Sequence, residues 1–296
     1  MNKKHRTVPQ TRLVNRNKQR RFDVERRGGS HSYWRDPYHL LLIIDWPCFL
    51  AVISLGYIFI NVLFAVLYLL GGDSIENARP GSFQDAFFFS VQTMSSIGYG
   101  AMYPSTDYAN VLVAIEALAG LTGLSMATGL MFARFSNPTA RVLFSRVAVI
   151  TPYNGIPTLM LRTANERSNQ ILEAQVRVSL LCDEVTKEGN FMRRFYDLKL
   201  VRSETPIFAL TWTIMHTIDQ SSPLYGVTPE LLSKMRSEII VTLTGLDETV
   251  SQTIHARYSY IEGEILWNMR FSDLFSQKRD GRMLIDYNRF HEVKPI

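Results

Sequence analysis

Residues 93–100 read TMSSIGYG: three small hydroxyl side chains, two glycines around a tyrosine, and no charge. A long apolar run lies on either side. Glycine admits backbone conformations that a β-carbon disfavours. The stretch therefore reads as backbone put to use, and what it can be used for depends on the runs that flank it.

The first run, residues 46–70, carries no charge. The second, residues 108–133, carries one acid, Glu116, and is rich in alanine, glycine and serine. A bilayer core about 30 Å thick needs roughly 20 helical residues, so both runs are long enough to span, and small residues let such helices pack closely or bend. Hydrophobic residues make up 46% of the 296 and the mean hydropathy is -0.02, averages that describe neither the apolar middle nor the charged ends.

Charge placement sets the expected orientation. Residues 1–40 hold eleven Lys or Arg against three acids. A basic arm suggests nucleic acid, but no aromatic-basic interleaving follows, and a basic segment before an apolar span is the positive-inside signal. Arg134, Arg141 and Arg146 follow the second run, whereas residues 71–107 between the runs hold one Arg against four acids. Both ends of the pair are therefore expected in the cytoplasm. The first apolar run comes too late and is too long for a signal peptide. Residues 32–45, with Pro37 at a first helical turn, read as an amphipathic helix in the membrane interface. The domains expected are a basic segment 1–31, the interfacial helix 32–45, a transmembrane pore domain 46–137 and a β domain 138–296. Cys48 and Cys182 fall in different segments without metal-like spacing, so neither a disulfide nor a zinc site is expected.

Between the spans, residues 81–94 read GSFQDAFFFSVQTM: Ser82 as helix N-cap, then about twelve aromatic-rich residues, too short to span and apolar enough to enter the bilayer. Non-helical backbone at that depth must be buried in protein or line a water-filled cavity. Glycine-bearing backbone there can turn its carbonyls toward an axis and replace the hydration shell of a cation. One loop cannot encircle an ion, so this reading requires a tetramer.

Two spans, a re-entrant half-helix and SIGYG resemble a two-span potassium channel. LMLRTANERSNQILEA (159–174), IDQSSPLYG (218–226) and ARYSYIEGEILW (256–267) resemble the tail of inward-rectifier potassium channels, and the lack of Cys between the spans is similar to the bacterial members. The resemblance implies a homotetramer in a bacterial inner membrane, both termini cytoplasmic, with K+ as permeant ion, no cofactor, and a filter at Ser96, Ile97, Gly98, Tyr99 and Gly100. The family usually has Thr where Ser96 stands; serine keeps the hydroxyl and loses the β-methyl.

Leu124, Thr128 and Phe132 recur every four residues on one face of the second span, as pore lining, with Phe132 at the position of the family's hydrophobic gate. Gly120 and Gly129 are candidate hinges. Leu124 stands where strong rectifiers carry an acid or amide, so only weak block by Mg2+ or polyamines is expected. Glu116 either faces the pore or sits behind the filter. Arg35, His39, Arg134, Arg141 and Arg146 are candidate contacts for anionic lipid, and Glu188 a candidate vestibule acid. No arginine-rich sensor helix is seen, so no voltage sensor is expected.

The tail alternates in PTLMLR (157–162) and AQVRVSL (174–180), turns at RDGR (279–282), and holds one helix signal with Thr228 as N-cap. The fold class expected is membrane α plus an all-β immunoglobulin-like sandwich. His216, His255 and His291 have no metal spacing, and no catalytic constellation or phosphate loop appears. The competing readings are a weakly selective cation channel, through Ser96, and a membrane-anchored binding module that conducts nothing.

Overall fold

A computed structural model describes Arg12 and residues 36–136, 138–277 and 281–296. The rest of the basic segment, Arg35, and Arg279 and Asp280 of the RDGR turn lie outside the described residues. The described chain divides into two compact units, residues 36–136 and residues 138–296 with Arg12.

The first unit opens with α1 (Pro37–Ile43). Asp36 caps it, accepting from the His39 amide at 2.9 Å. The described part stops two residues short of the expected end. Pro47 is the reason: it cannot donate to the Ile43 carbonyl and its ring would clash there. Asp45 instead becomes the N-cap of α2 (Trp46–Leu70), with Pro47 in its first turn. The pair β1 (Ile75–Glu76) and β2 (Tyr103–Pro104) brackets α3 (Phe83–Met94). Ser82 caps α3 by accepting from the Asp85 amide. The Arg79 guanidinium and amide converge on Asp85, which holds that carboxyl well below the usual carboxylate range.

Helix α4 (Asp107–Phe135) is longer than its apolar run at both ends, because Thr106 caps it and Asp107 suits its positive first turn. Phe64, Ala65 and Tyr68 of α2 pack with Ala86, Phe89 and Met94 of α3 and Ala109 and Leu112 of α4. Only 17% and 11% of the most apolar stretches of α2 and α4 are buried within the chain. A core helix of a soluble protein is buried over most of its length; these are membrane helices.

The second unit is a two-sheet sandwich, with strands in chain order β3 (Val142–Phe144), β4 (Ala148–Tyr153), β5 (Ile156–Asn165), β6 (Ile171–Val185), β7 (Phe191–Leu198), β8 (Glu204–Phe208) and β9 (Thr211–Thr217), then helix α5 (Pro229–Lys234), then β10 (Glu238–Asp247), β11 (Gln252–Ile261) and β12 (Ile265–Trp267). One sheet centres on β6, with β10 and then β11 on one side and β8 and β7 sharing the other. The other centres on β5, flanked by β9 and by β3 and β4, with β12 parallel to β4. Leu159, Leu161 and Ile214 of one sheet meet Val176, Leu180, Val241 and Leu243 of the other in a single core that Leu232 of α5 joins. Where β10 bulges between Thr244 and Leu246, a β-carbon on Gly245 would lie 2.5 Å from Ile171 Cγ2. Two short pairs close the chain: β13 (Met269–Phe271) with β16 (Val293–Pro295), and β14 (Phe275–Gln277) with β15 (Met283–Ile285).

Candidate functional site

The stretch that opened the sequence begins where α3 stops. Ser96 has φ +55°, its amide donates to Thr93 O at 3.0 Å, and the Ile97 amide donates to Gln92 O at 2.8 Å. This is a Schellman end: one residue in the left-handed region lets its own amide and the next one satisfy the helix's last carbonyls. Glycine usually holds that position, and a β-branched residue suits it least; serine is the smaller compromise. Gly98 and Gly100 follow with φ +56° and +77°, while Ile97 and Tyr99 between them are not left-handed. Alternation of hand turns successive peptide groups the same way, as in backbone nests. A β-carbon on Gly98 or Gly100 would meet nothing within 4 Å, so conformation, not space, requires glycine there. Ile97 and Tyr99 are 47% and 75% exposed, so this face has no partner within the described chain. The far end is tied down by the Asn77 side chain, whose Nδ2 donates to Ala101 O at 2.9 Å, and by the β1–β2 pairing.

Behind this stretch lies a buried polar group that the apolar runs concealed. Tyr68 of α2 donates to Glu116 Oε2 of α4 at 2.6 Å. Ser90 of α3 is hydrogen-bonded to Glu116 Oε1 and, at 3.0 Å, to Asn61 Oδ1 of α2. Asn61 Nδ2 donates to Tyr57 O at 2.8 Å. Asn61, Ser90 and Glu116 are fully buried. Of the two placements open for Glu116, the structure shows the one behind the candidate filter. The missed partners had a signal: Tyr57, Asn61 and Tyr68 are spaced 4 and 7 apart on α2 and so share a face, and Ser90 interrupts an aromatic run.

The remaining candidates divide. Leu124, Thr128 and Phe132 are all exposed on α4, Leu124 by 68% and Phe132 by 72%, and the Thr128 hydroxyl is spent on Leu124 O. Helix α4 runs unbroken through both candidate hinges. A β-carbon on Gly120 would lie 2.4 Å from Met94 O, whereas one on Gly129 would meet nothing. Gly120 is thus accounted for by close approach to the end of α3, and Gly129 has no packing reason.

Residues 142–296 match the family model described as the inward rectifier potassium channel C-terminal domain, and residues 48–137 match the one described as ion channel. The chain is 50% identical over 273 residues to the inward rectifier potassium channel Kirbac3.1 of Paramagnetospirillum magnetotacticum, covering 92% of this chain and 91% of that one. The chain belongs to the inward rectifier potassium channel family. More distant relatives include inward rectifier potassium channel 18 of Homo sapiens (31% over 290 residues; 90% of this chain, 66% of that one) and irk-1 of Caenorhabditis elegans (30% over 292 residues; 90% and 53%). The chain thus spans about half of the nematode protein.

Within this member of the family the basic candidates behave differently. His39 is exposed on α1. Arg134 is engaged inside its own unit: its guanidinium donates to Leu41 O and, at 2.6 Å, to Ile44 O, and it stacks on Trp46 and Phe49 at 4.7 and 4.6 Å. It clamps the end of α4 to the α1–α2 corner. Arg141 and Arg146 are exposed on the sandwich unit, and Arg35 lies outside the described residues. Glu188 is exposed in the β6–β7 turn, where a hydrogen bond with Thr186 holds its carboxyl below the usual value. Among the described residues no cluster of His, Cys, Asp or Glu is built to hold a metal ion.

Proposed function

We propose that the chain assembles as a homotetramer that conducts K+ passively, with Ser96, Ile97, Gly98, Tyr99 and Gly100 of four chains forming the filter. The observation that carries this reading is the alternation of hand from Ser96 to Gly100 on an unpartnered face. Four such segments supply rings of carbonyl oxygen in place of a hydration shell, and the C-terminal end of α3 presents its negative pole to the cation. The resident ion is cargo; no cofactor is involved.

Phe132 forms the gate: four rings at a helix crossing dewet the pore. Leu124 offers Mg2+ and polyamines no charge, so they block weakly. Anionic lipids regulate the channel through His39, Arg141, Arg146 and Arg35, with Arg134 serving the helix corner first. Glu188 lines a cytoplasmic vestibule. The protein sits in a bacterial inner membrane with both termini inside.

The test is ion flux from proteoliposomes containing the purified protein. K+ flux that Ba2+ blocks, with little Na+ flux, supports the proposal. Equal K+ and Na+ flux favours the weakly selective channel that Ser96 raises, since a serine restrains its rotamer less than threonine does. If the protein is silent, the Phe132→Ala variant separates a closed gate from a chain that conducts nothing.

A further inference from the structure

The polar group behind the filter holds a count of hydrogens that its oxygens settle. Asn61 Nδ2 faces Tyr57 O at 2.8 Å, and a backbone carbonyl only accepts. The amide orientation is therefore fixed, and Asn61 Oδ1 is the atom facing Ser90 Oγ at 3.0 Å. An amide oxygen only accepts, so Ser90 spends its single hydrogen there. Ser90 Oγ must then accept in its other contact, the one with Glu116 Oε1. A carboxylate cannot donate; a carboxylic acid can. The remaining oxygen, Oε2, accepts from the Tyr68 hydroxyl at 2.6 Å. With one proton on Oε1 every contact in the chain Glu116–Ser90–Asn61–Tyr57 has one donor and one acceptor. Without it, two acceptors face each other in a fully buried site. No Lys, Arg or His pairs with Glu116 among the described residues. Tyr68 on α2 is its one titratable hydrogen-bond partner; α3 contributes Ser90, and α4 contributes none.

We propose that Glu116 is a neutral carboxylic acid and a positioning residue for the filter, donating to Ser90 and thereby fixing the last turns of α3 against α2 and α4. The proposal rests on the reading of Ser96–Gly100 as the filter. Position follows from connectivity. Ser90 stands one turn before Met94, whose carbonyl packs against Gly120 and whose sulfur receives Asn61 Nδ2 at 3.3 Å. Ser95, the next residue, is hydrogen-bonded to Tyr57 OH at 2.5 Å. The left-handed Ser96 then starts the filter. The filter's inner end is therefore tied to this network, while its front face has no partner among the described residues.

Glutamine tests the proton directly, because its amide keeps one donor for Ser90 and one acceptor for Tyr68. Three tetrameric variants, Glu116→Gln, Glu116→Ala and Ser90→Ala, are compared with wild type in proteoliposomes for the K+/Na+ permeability ratio. Infrared difference spectra between wild type and Glu116→Gln are recorded near neutral pH for the C=O stretch of a protonated carboxyl. The proposal expects that band in wild type alone. It expects Glu116→Gln to keep the ratio, and the two alanine variants to lower it about tenfold, as an unsatisfied buried acceptor does. A merely structural role would lower the yield of tetramer and leave the ratio untouched. A carboxylate band instead of a carboxyl band, or a Glu116→Gln channel as impaired as Glu116→Ala, overturns the proposal. A wild-type tetramer that does not select K+ overturns the filter reading and with it the positioning role; the infrared band still reports the proton.

Discussion

The two faces of the segment from α3 to Gly100 differ in completeness. At the back, Asn61, Tyr68, Ser90 and Glu116 satisfy one another, and Gly120 lets a helix touch Met94. One chain closes that side. At the front, Ile97 is 47% exposed and Tyr99 75%, and nothing among the described residues covers them. Buried polar groups demand partners at once, whereas a conducting surface must stay open until copies meet. On the proposed function, a single chain fixes the scaffold of the filter, and the filter itself belongs to the assembly.

That contrast can be broken most severely at the front. Gly98→Ala puts a β-carbon on a residue with φ +56°. A cost of about 1 kcal/mol in each of four chains lowers the conducting form about a thousandfold. Proteoliposome K+ flux near background is the expected result, with the tetramer still eluting intact. At the back, Gly120→Ala drives a β-carbon to 2.4 Å from Met94 O. Overpacking of this kind costs roughly 1–3 kcal/mol, so the tetramer's melting temperature and the K+/Na+ ratio are both expected to fall. Gly129→Ala, with open space around it, is expected to leave both unchanged; a change in flux there would support Gly129 as a hinge. Phe132→Ala, at an exposed position of α4, is expected to raise resting K+ flux several-fold with no loss of thermal stability. Leu124→Glu should leave inward K+ current intact and give outward current a strong block by Mg2+, read in planar bilayers.

The smallest effect comes from the sandwich, which like the back of the α3–Gly100 segment closes within one chain. His216 is 4% exposed, with Nδ1 facing Lys199 O and Nε2 facing Ser222 Oγ, each at 2.7 Å. Burial lowers its pKa below the usual 6.5, against the pull of the Lys199 carbonyl. Because the folded value is the lower one, its stabilisation is complete above the unfolded pKa and is lost as pH falls through the folded one. The unfolding midpoint should therefore decline modestly between about pH 7 and about pH 5, and less so in His216→Gln. A midpoint that rises on acidification would contradict the assignment.

The features legible in the sequence were those carried by local rules. Ser82, Thr228 and Pro229 announced helix starts because caps act within three residues. The two spans followed from length and missing charge. The stretch 93–100 stood out because glycine in an apolar setting is informative. The network behind it was not legible as a network: Asn61, Ser90 and Glu116 are 26 to 55 residues apart, and only packing of α2, α3 and α4 brings them together. Arg134 read as a lipid contact because its net charge was visible and its partners, two backbone carbonyls and two aromatic rings, were not. Gly120 read as a bend because the atom that excludes a side chain there belongs to another helix.

The most direct test of the account is the structure of the assembled protein grown in K+ and soaked in Tl+, read by anomalous scattering. Four chains around one axis, with Tl+ in a column between the carbonyls of Ser96 and Tyr99, is the result expected. An axis without Tl+ there, or an assembly in which Ser96–Gly100 of different chains do not face one another, would contradict it.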